Sequence, residues 1–404
     1  MRSVGEHLQV CLEVVGPLPR LAVVLPDAVG CVLAEDVVAP ADLPVTDLAA
    51  LDGYAVRAAD VAGADRGEVG LVVVDEVRAG SSGPVRLPEG AAVLIASGAP
   101  MPGGADAVVP LDATDRGTAR VLVRRAMRPG ERVRERASEA VSGEVVLRSG
   151  ERVGPRELAL VAALGRGRVE VHPKPRVVLL SVGDELVEPG KPARAGQVFD
   201  ANSHALASAV ADAGAVPIRV GAAPDAYGEL RELIEDQLVR ADLVITTGGL
   251  SQGQGDTVSD VVGPLGSVRF DDVAISPGRR FGVGIIGEPG SETPVLCLPG
   301  DPVAVQVAYE AFVRPALLHM AGHTEIYRPT VHARAGADWE SPAGVREFVP
   351  ARLTGTPGEG YRWEAVDRPG ALTGLVRANA LAVVPEGVTR LAAGSEVPCM
   401  LLTE

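Results

Sequence analysis

Across residues 177–320 the apolar positions follow two alternating rhythms. Short runs at 177–181, 216–220, 243–246 and 295–298 read as strands, the first nearly all apolar. Between them, Leu206, Ala209, Val210 and Ala213 share one helix face that Gly214 can end, and Leu230, Leu233, Ile234 and Leu238 share another. Asp301 suits a helix N-cap with Pro302 at the first helical position, opening a helix through Val305, Ala308 and Phe312 toward Gly322. Strands alternating with helices predict a doubly wound parallel sheet covered on both faces.

The flanking patterns differ. Residues 1–39 read as a helix followed by β-branched material at 21–25 and 31–38, ending at Pro40 and Pro44. From 46 to 128, short β-branched runs at 71–77, 91–96, 107–110 and 119–123 are broken by Gly and Pro, the pattern of a small β-rich unit. The helix expected at 155–164 is too short to stand alone and should pack on the N-terminal segment. Beyond 326, strand candidates at 331–335, 348–353, 362–366, 381–384 and 397–402 alternate with turns and predict a small barrel or sandwich. The expected plan is a discontinuous N-terminal unit (1–45 with 129–170), a β-rich insertion (46–128), a central α/β unit (171–325) and a C-terminal β-barrel (326–404). The fold class is therefore α/β plus β, multidomain. At about 150 residues per domain, 404 residues agree with several units.

Charge and cysteine content narrow the function. There are 38 basic and 53 acidic residues, a net charge of −15, which disfavours a general grip on nucleic acid. Cys11, Cys31, Cys297 and Cys399 are widely spaced with no CxxC, so a disulfide framework and a cysteine zinc site are both disfavoured. No apolar run reaches about 18 residues, and Glu6 and His7 stand where a signal peptide needs apolar residues. A cytoplasmic protein without membrane contact is expected. Lys174 and Lys191 are the lysines; every other basic residue is arginine.

Ligands of doubly wound sheets bind outside the carboxyl ends of the strands. The stretches Ser181-Val-Gly-Asp-Glu185, Thr246-Thr-Gly-Gly-Leu-Ser-Gln-Gly-Gln-Gly-Asp256 and Leu298-Pro-Gly-Asp-Pro302 leave such ends carrying glycines with hydroxyl and acidic groups. Closely spaced glycines let backbone N–H groups face an anion, and a following helix N-terminus adds partial positive charge. No Walker loop follows these glycines and no GxGxxG fingerprint stands at the first strand, which disfavours an NTPase or a dinucleotide oxidoreductase. Glu185, Asp225 and Asp256 fall at or near strand ends, where carboxylates beside phosphate commonly hold Mg²⁺. Taken singly, Asp225 equally suits a helix cap, and Asp184 with Glu185 a solvated turn. His319 and His323, four apart without a third ligand, fit a surface or core role better than a metal. Ser276-Pro-Gly-Arg279-Arg280 offers guanidiniums to an oxyanion, or is simply a basic loop. Asp47 and the Asp52-Gly53-Tyr54-Ala55 turn read alone as turn chemistry.

Together these segments resemble one family. Asp47 with Leu51-Asp52-Gly53-Tyr54-Ala55-Val56-Arg57, Ala96-Ser97-Gly98-Ala99-Pro100 with Gly104-Ala-Asp106-Ala-Val-Val109, Ser181-Val-Gly-Asp-Glu-Leu186, Thr247-Gly-Gly-Leu-Ser251 to Asp256, Leu298-Pro-Gly-Asp-Pro-Val303 and Leu375-Val-Arg-Ala-Asn-Ala-Leu381 are similar, in that order, to the MoeA/gephyrin molybdopterin molybdenumtransferases. The resemblance implies an elongated four-domain subunit and a homodimer with a shared cleft. It also implies a reaction: adenylylated molybdopterin is bound, its adenylate is hydrolysed with Mg²⁺, and molybdate enters the dithiolene to give molybdenum cofactor. A molybdopterin adenylyltransferase is an implied partner.

By position, Glu185, Asp225 and Asp256 match the acidic, metal-holding residues on the pterin side. Asp47 and Asp52 match those offered across the dimer, and Arg279 matches a basic catalytic residue. Ser97, Ser181, Gly183, Thr247, Gly248, Gly249, Ser251, Ser276, Pro299, Gly300 and Asp301 match ligand-binding positions. The family's Lys-Pro-Gly-Lys-Pro loop reads Ser276-Pro-Gly-Arg279-Arg280 here, and its Gly-Asn-Pro-Val-Ser turn reads Gly300-Asp-Pro-Val-Ala304. Its Gly-Glu-Asp segment is Ala137-Ser138-Glu139, and its Asn-Ser pair after the first aspartate is Leu48-Ala49. The carboxylate of Asp301 should weaken anion binding unless a cation offsets it. The rival readings are a family member that carries the pterin without inserting metal, and an unrelated Mg²⁺-dependent phosphohydrolase.

Overall fold

The computed structural model describes residues 1–81, 85–250 and 256–402. Near the N-terminus, strands Leu21–Val24 and Val32–Leu33 flank Arg168–His172 in an antiparallel sheet. Ala28, Cys31, Leu33 and Val37 pack against Ala140, Leu147, Val161 and Val171, so two distant segments share one core and neither closes it alone. Between them, a five-stranded sheet holds Ala107–Pro110, Gly53–Val56, Ala91–Ile95, Val69–Val77 and Arg120–Val123, in that order.

The helix Val4–Val15 departs from the sequence grouping of residues 1–45. Its Val4, Cys11 and Val15 bury themselves against Phe281, Phe312 and Leu317 of the α/β unit. The His7 ring lies between two aromatic rings, with centroids 5.3 Å from Phe281 and 4.7 Å from Phe312. The physical reason is the length of the apolar face, which finds a larger complementary surface there than the small N-terminal unit offers.

The central sheet runs Val216–Ala223, Arg176–Val182, Leu243–Thr247, Thr293–Leu298, Arg280–Ile286, Gly266–Asp272. The first four strands are parallel and the last two antiparallel, so the sheet is mixed where the pattern predicts parallel strands alone. Val177, Val178, Leu179 and Leu180 are buried on both faces, as a strand between helix layers must be. Each such side chain stabilises the fold by roughly 1.5–3 kcal/mol. From Pro302 a helix runs as Pro302–Ala308, a π turn Tyr309–Val313 and Arg314–Met320. Pro315 lacks the N–H that would bond the Ala311 carbonyl, which accounts for the widened turn just before it.

In the C-terminal unit, Arg346–Thr356, Gly360–Ala365, Thr330–Ala335, Glu396–Leu401 and Ala380–Val384 pair in sequence, and the last pairs back on the first to close a barrel. Ile275–Ser276 adds to this barrel in parallel with Arg346 and Glu347, tying it to the α/β unit.

Candidate functional site

The parallel strands all end on one edge. Arg176–Val182 lies between the later strands Val216–Ala223 and Leu243–Thr247, so the strand order reverses between Val182 and Thr247. Crevices form outside such reversals. The strand ends touch there. The Gly248 N–H donates to the Leu298 carbonyl at 3.2 Å. A Cβ on Gly300 would stand 3.3 Å from the Gly248 Cα, and one on Gly248 would stand 2.5 Å from the Val182 carbonyl oxygen. With φ at +82°, Gly248 also occupies the left-handed region, so backbone alone fits this crossing. The loop through Ser276 and Gly278 leans on Pro299 and Ala304. Asn202 Nδ2 reaches across to the Gly300 carbonyl at 2.9 Å.

Asp301 caps the long helix, its Oδ1 accepting from the Ala304 N–H at 2.8 Å. That bond and the helix N-terminus draw on its charge, which reduces the repulsion toward an anion expected from the sequence.

The acidic residues share this edge in different states. The Asp225 N–H donates to Asp184 Oδ1 at 3.1 Å and the Asp184 N–H to Asp225 Oδ2 at 3.3 Å, a reciprocal clasp between two loops. Asp225 does not cap the next helix, whose N-cap is Ala226. Glu185 folds its carboxylate back over Gly183. Asp256 stands at the start of Thr257–Val262 without a capping bond and accepts from Arg280 Nη2 at 3.1 Å. Arg279, the basic residue singled out by sequence position, is 67% exposed and pairs with Asp272 at 2.9 Å. Neighbouring residues of an extended segment point to opposite faces, so only one of the two arginines can turn inward.

Among the described residues, no group of three or more His, Cys, Asp and Glu side chains lies close enough to hold a metal ion. Glu185, Asp225 and Asp256 thus share an edge without forming a cage, and the set read as metal ligands does not fit an ion held by protein alone. His319 and His323 likewise belong to no such group.

Sequence reasoning missed the polar knot beneath the cradle. Asp200 is 1% exposed and accepts from Ser181 Oγ at 2.8 Å, Ser203 Oγ at 2.5 Å and the Ser203 N–H at 3.0 Å. Thr247 Oγ1 donates to Ser181 Oγ at 3.2 Å. Ser181 and Thr247, expected to meet ligand, are therefore buried, and their hydroxyls fasten two strand ends together. Arg219 donates to Ser203 Oγ at 3.2 Å and to both Glu188 oxygens at 2.6 and 3.0 Å. Hydrogen bonding from Arg219, with His204 adding to it, holds the Glu188 carboxyl down at about 2. The sequence signal, Asp200 two residues before a helix that starts at Asn202, looks like any turn. Ser251 lies outside the described residues.

Asp47, Asp52 and Ser97 gather elsewhere. The Ser97 N–H donates to Asp52 Oδ1 at 2.7 Å, and Asp47 Oδ1 accepts from the Arg136 N–H at 2.7 Å. Beside them a cavity of about 540 Å³ is lined by Leu48, Ala50, Ser97, Val133, Arg134 and Ser138 among others, all from the first 140 residues. Within one chain the two groups of expected site residues are thus built on different units.

A doubly wound sheet with a glycine-lined, helix-capped edge, carried between a β-rich insertion and a closed barrel, defines a multidomain α/β protein. Comparison with known proteins gives the family. Residues 2–165 match the MoeA N-terminal region (domain I and II), 178–319 a "Probable molybdopterin binding domain" and 332–402 the MoeA C-terminal region (domain IV). Molybdopterin molybdenumtransferase 2 of Mycobacterium tuberculosis is 39% identical over 410 residues, covering all of both chains. Molybdopterin molybdenumtransferase 1 of the same organism is 37% identical over 427 residues, again covering all of both. Two structures of the molybdopterin biosynthesis MoeA protein from Pyrococcus horikoshii superpose with TM-scores of 0.82 and 0.74 at 30% identity. They cover 100% and 99% of this chain, and 99% and 100% of their own. The chain belongs to the MoeA family.

Proposed function

We propose that the protein is a molybdopterin molybdenumtransferase that takes adenylylated molybdopterin and molybdate and releases molybdenum cofactor and adenylate. One observation carries this reading: side-chain-free backbone at Gly248 and Gly300, a long helix N-terminus and several carboxylates meet on the edge where the sheet order reverses. The cradle would hold the pyrophosphate by its oxygens. Water then cleaves the phosphoanhydride, giving adenylate and the pterin's own phosphate; the two dithiolene thiols next take the place of one molybdate oxo group, which leaves as water with their protons. Mg²⁺ would come with the pyrophosphate as part of the substrate complex. Since the described carboxylates offer no cage, no step is assigned to the ion. Glu185 and Asp225 would orient attacking water, and Arg279 would meet molybdate at the cleft's rim.

A homodimer would bring Asp47, Asp52 and Ser97 of one subunit to the cradle of the other, completing a cleft that a single chain leaves in two halves. A molybdopterin adenylyltransferase would supply the substrate. The cytoplasm is the proposed compartment: the four cysteines are buried and unpaired, as a reducing environment keeps them. Among the described residues no helix is long and apolar enough to cross a membrane.

The test is conversion of adenylylated molybdopterin and molybdate to cofactor by the purified protein, with adenylate release followed in parallel. Both products are expected, and neither should form efficiently with Asp256→Asn. The carrier reading has one observation in its favour, the arginine already paired with Asp256. It would be indicated by tight pterin binding with no adenylate released.

A further inference from the structure

The Asp256 side chain is 16% exposed, and Arg280 reaches it with a side chain 27% exposed. One N–H···O bond joins them. Asp256 Oδ1 and Arg280 Nε are both buried and have no hydrogen-bond partner among the described residues, so the two-pronged fork that arginine and carboxylate can form is only half made. Arg280 opens the strand Arg280–Ile286, and the next residue, Phe281, is locked in the core at 1% exposure. The guanidinium is therefore delivered by rigid backbone. In the resembling loop Lys-Pro-Gly-Lys-Pro this position is proline, which carries no charge. A carboxylate largely removed from water needs a positive neighbour, and here the strand supplies one.

We propose that Arg280 is the resident counter-ion of Asp256, so that a divalent cation reaches this carboxylate only by displacing the guanidinium. One of the three expected ligands is then already neutralised from within. The single bond makes the guanidinium displaceable, and a displaced arginine keeps its charge and donors free for an oxyanion. Metal and arginine are alternatives at one oxygen pair.

The experiment uses the full-length purified protein with Mn²⁺ alone, free Mn²⁺ being read by electron paramagnetic resonance. No pterin is present, so its failure leaves the transferase reading standing. Arg280→Gln should bind Mn²⁺ about tenfold more tightly than the parent, the effect of removing one close positive charge. Arg280→Lys should stay near the parent. The gain should vanish in the double variant Arg280→Gln with Asp256→Asn. Without metal, Arg280→Gln should unfold at lower temperature and recover with Mn²⁺. Asp256→Asn alone should leave the parent's Mn²⁺ affinity almost unchanged, a measurement that does not require Arg280→Gln to fold. Equal Mn²⁺ binding by the parent and Arg280→Gln, or a large loss in Asp256→Asn alone, would overturn the proposal.

Discussion

Asp200 shows how a single buried carboxylate can set the shape of a cleft it does not line. Its two oxygens receive bonds from Ser181 Oγ, Ser203 Oγ and the Ser203 N–H, and through Ser181 it reaches Thr247. Removing it leaves these donors buried with nothing to accept them, whereas an amide keeps one acceptor. Asp200→Ala should therefore cost roughly 3–5 kcal/mol, and Asp200→Asn distinctly less. The midpoint of urea unfolding measures both, and an unshifted midpoint for Asp200→Ala would show the knot to be incidental. At this scale the sequence was legible only where a residue type has few other uses. Gly248, Gly300 and the Asp301 cap could be read because turn and cap chemistry is local. Asp200 and Arg280 could not, because their importance lies in partners 19 and 24 residues away along the chain.

Elements follow the same division between local and distant causes. The helices and parallel strands of the α/β unit declare themselves through apolar spacing. The antiparallel strand Arg280–Ile286, interrupted by Gly282 and Gly284, is not among the strands that apolar spacing predicts. In the structure a Cβ on Gly282 would lie 2.5 Å from the Phe270 ring, so glycine there is required by the neighbouring strand. The helix Val4–Val15 is another case: its spacing predicts a helix but not which unit it joins. Its docking carries a pH dependence.

His7 is 2% exposed, and burial brings its imidazole down to about 4, with Arg2 adding to the effect and Asp271 opposing it. An unfolded histidine titrates near 6.5. Between those values the unfolded chain takes up a proton that the folded one refuses, so stability rises with pH across this window. The contribution is complete above about 6.5 and fades as pH falls toward 4. A shift of that size corresponds to about 3 kcal/mol over the window. Thermal unfolding of the parent should weaken from pH 7 to pH 5 more steeply than that of His7→Gln. Parallel curves would remove His7 as the cause.

For the whole molecule, the decisive fact is that the expected site residues stand on two units. Ser97 lines a cavity beside the insertion and its N–H holds Asp52, while Asp256 and Gly248 belong to the sheet edge. If a homodimer joins the halves in trans, each active cleft takes its insertion side from one subunit and its cradle from the other. Asp52→Ala homodimers then carry two damaged clefts, and so do Asp256→Asn homodimers. A mixed dimer concentrates both lesions in one cleft and leaves the other intact. Random re-assortment of equal amounts makes half the dimers mixed, so insertion activity should return to about a quarter of the parent level, given that closed two-fold symmetry makes the clefts equivalent. The measurement is cofactor formation after the two inactive variants are dissociated together and allowed to re-form dimers. The control is a variant carrying both substitutions mixed with the parent, which should reach the level set by intact clefts alone. Activity that stays at the floor after verified subunit exchange would mean that each chain completes its own cleft.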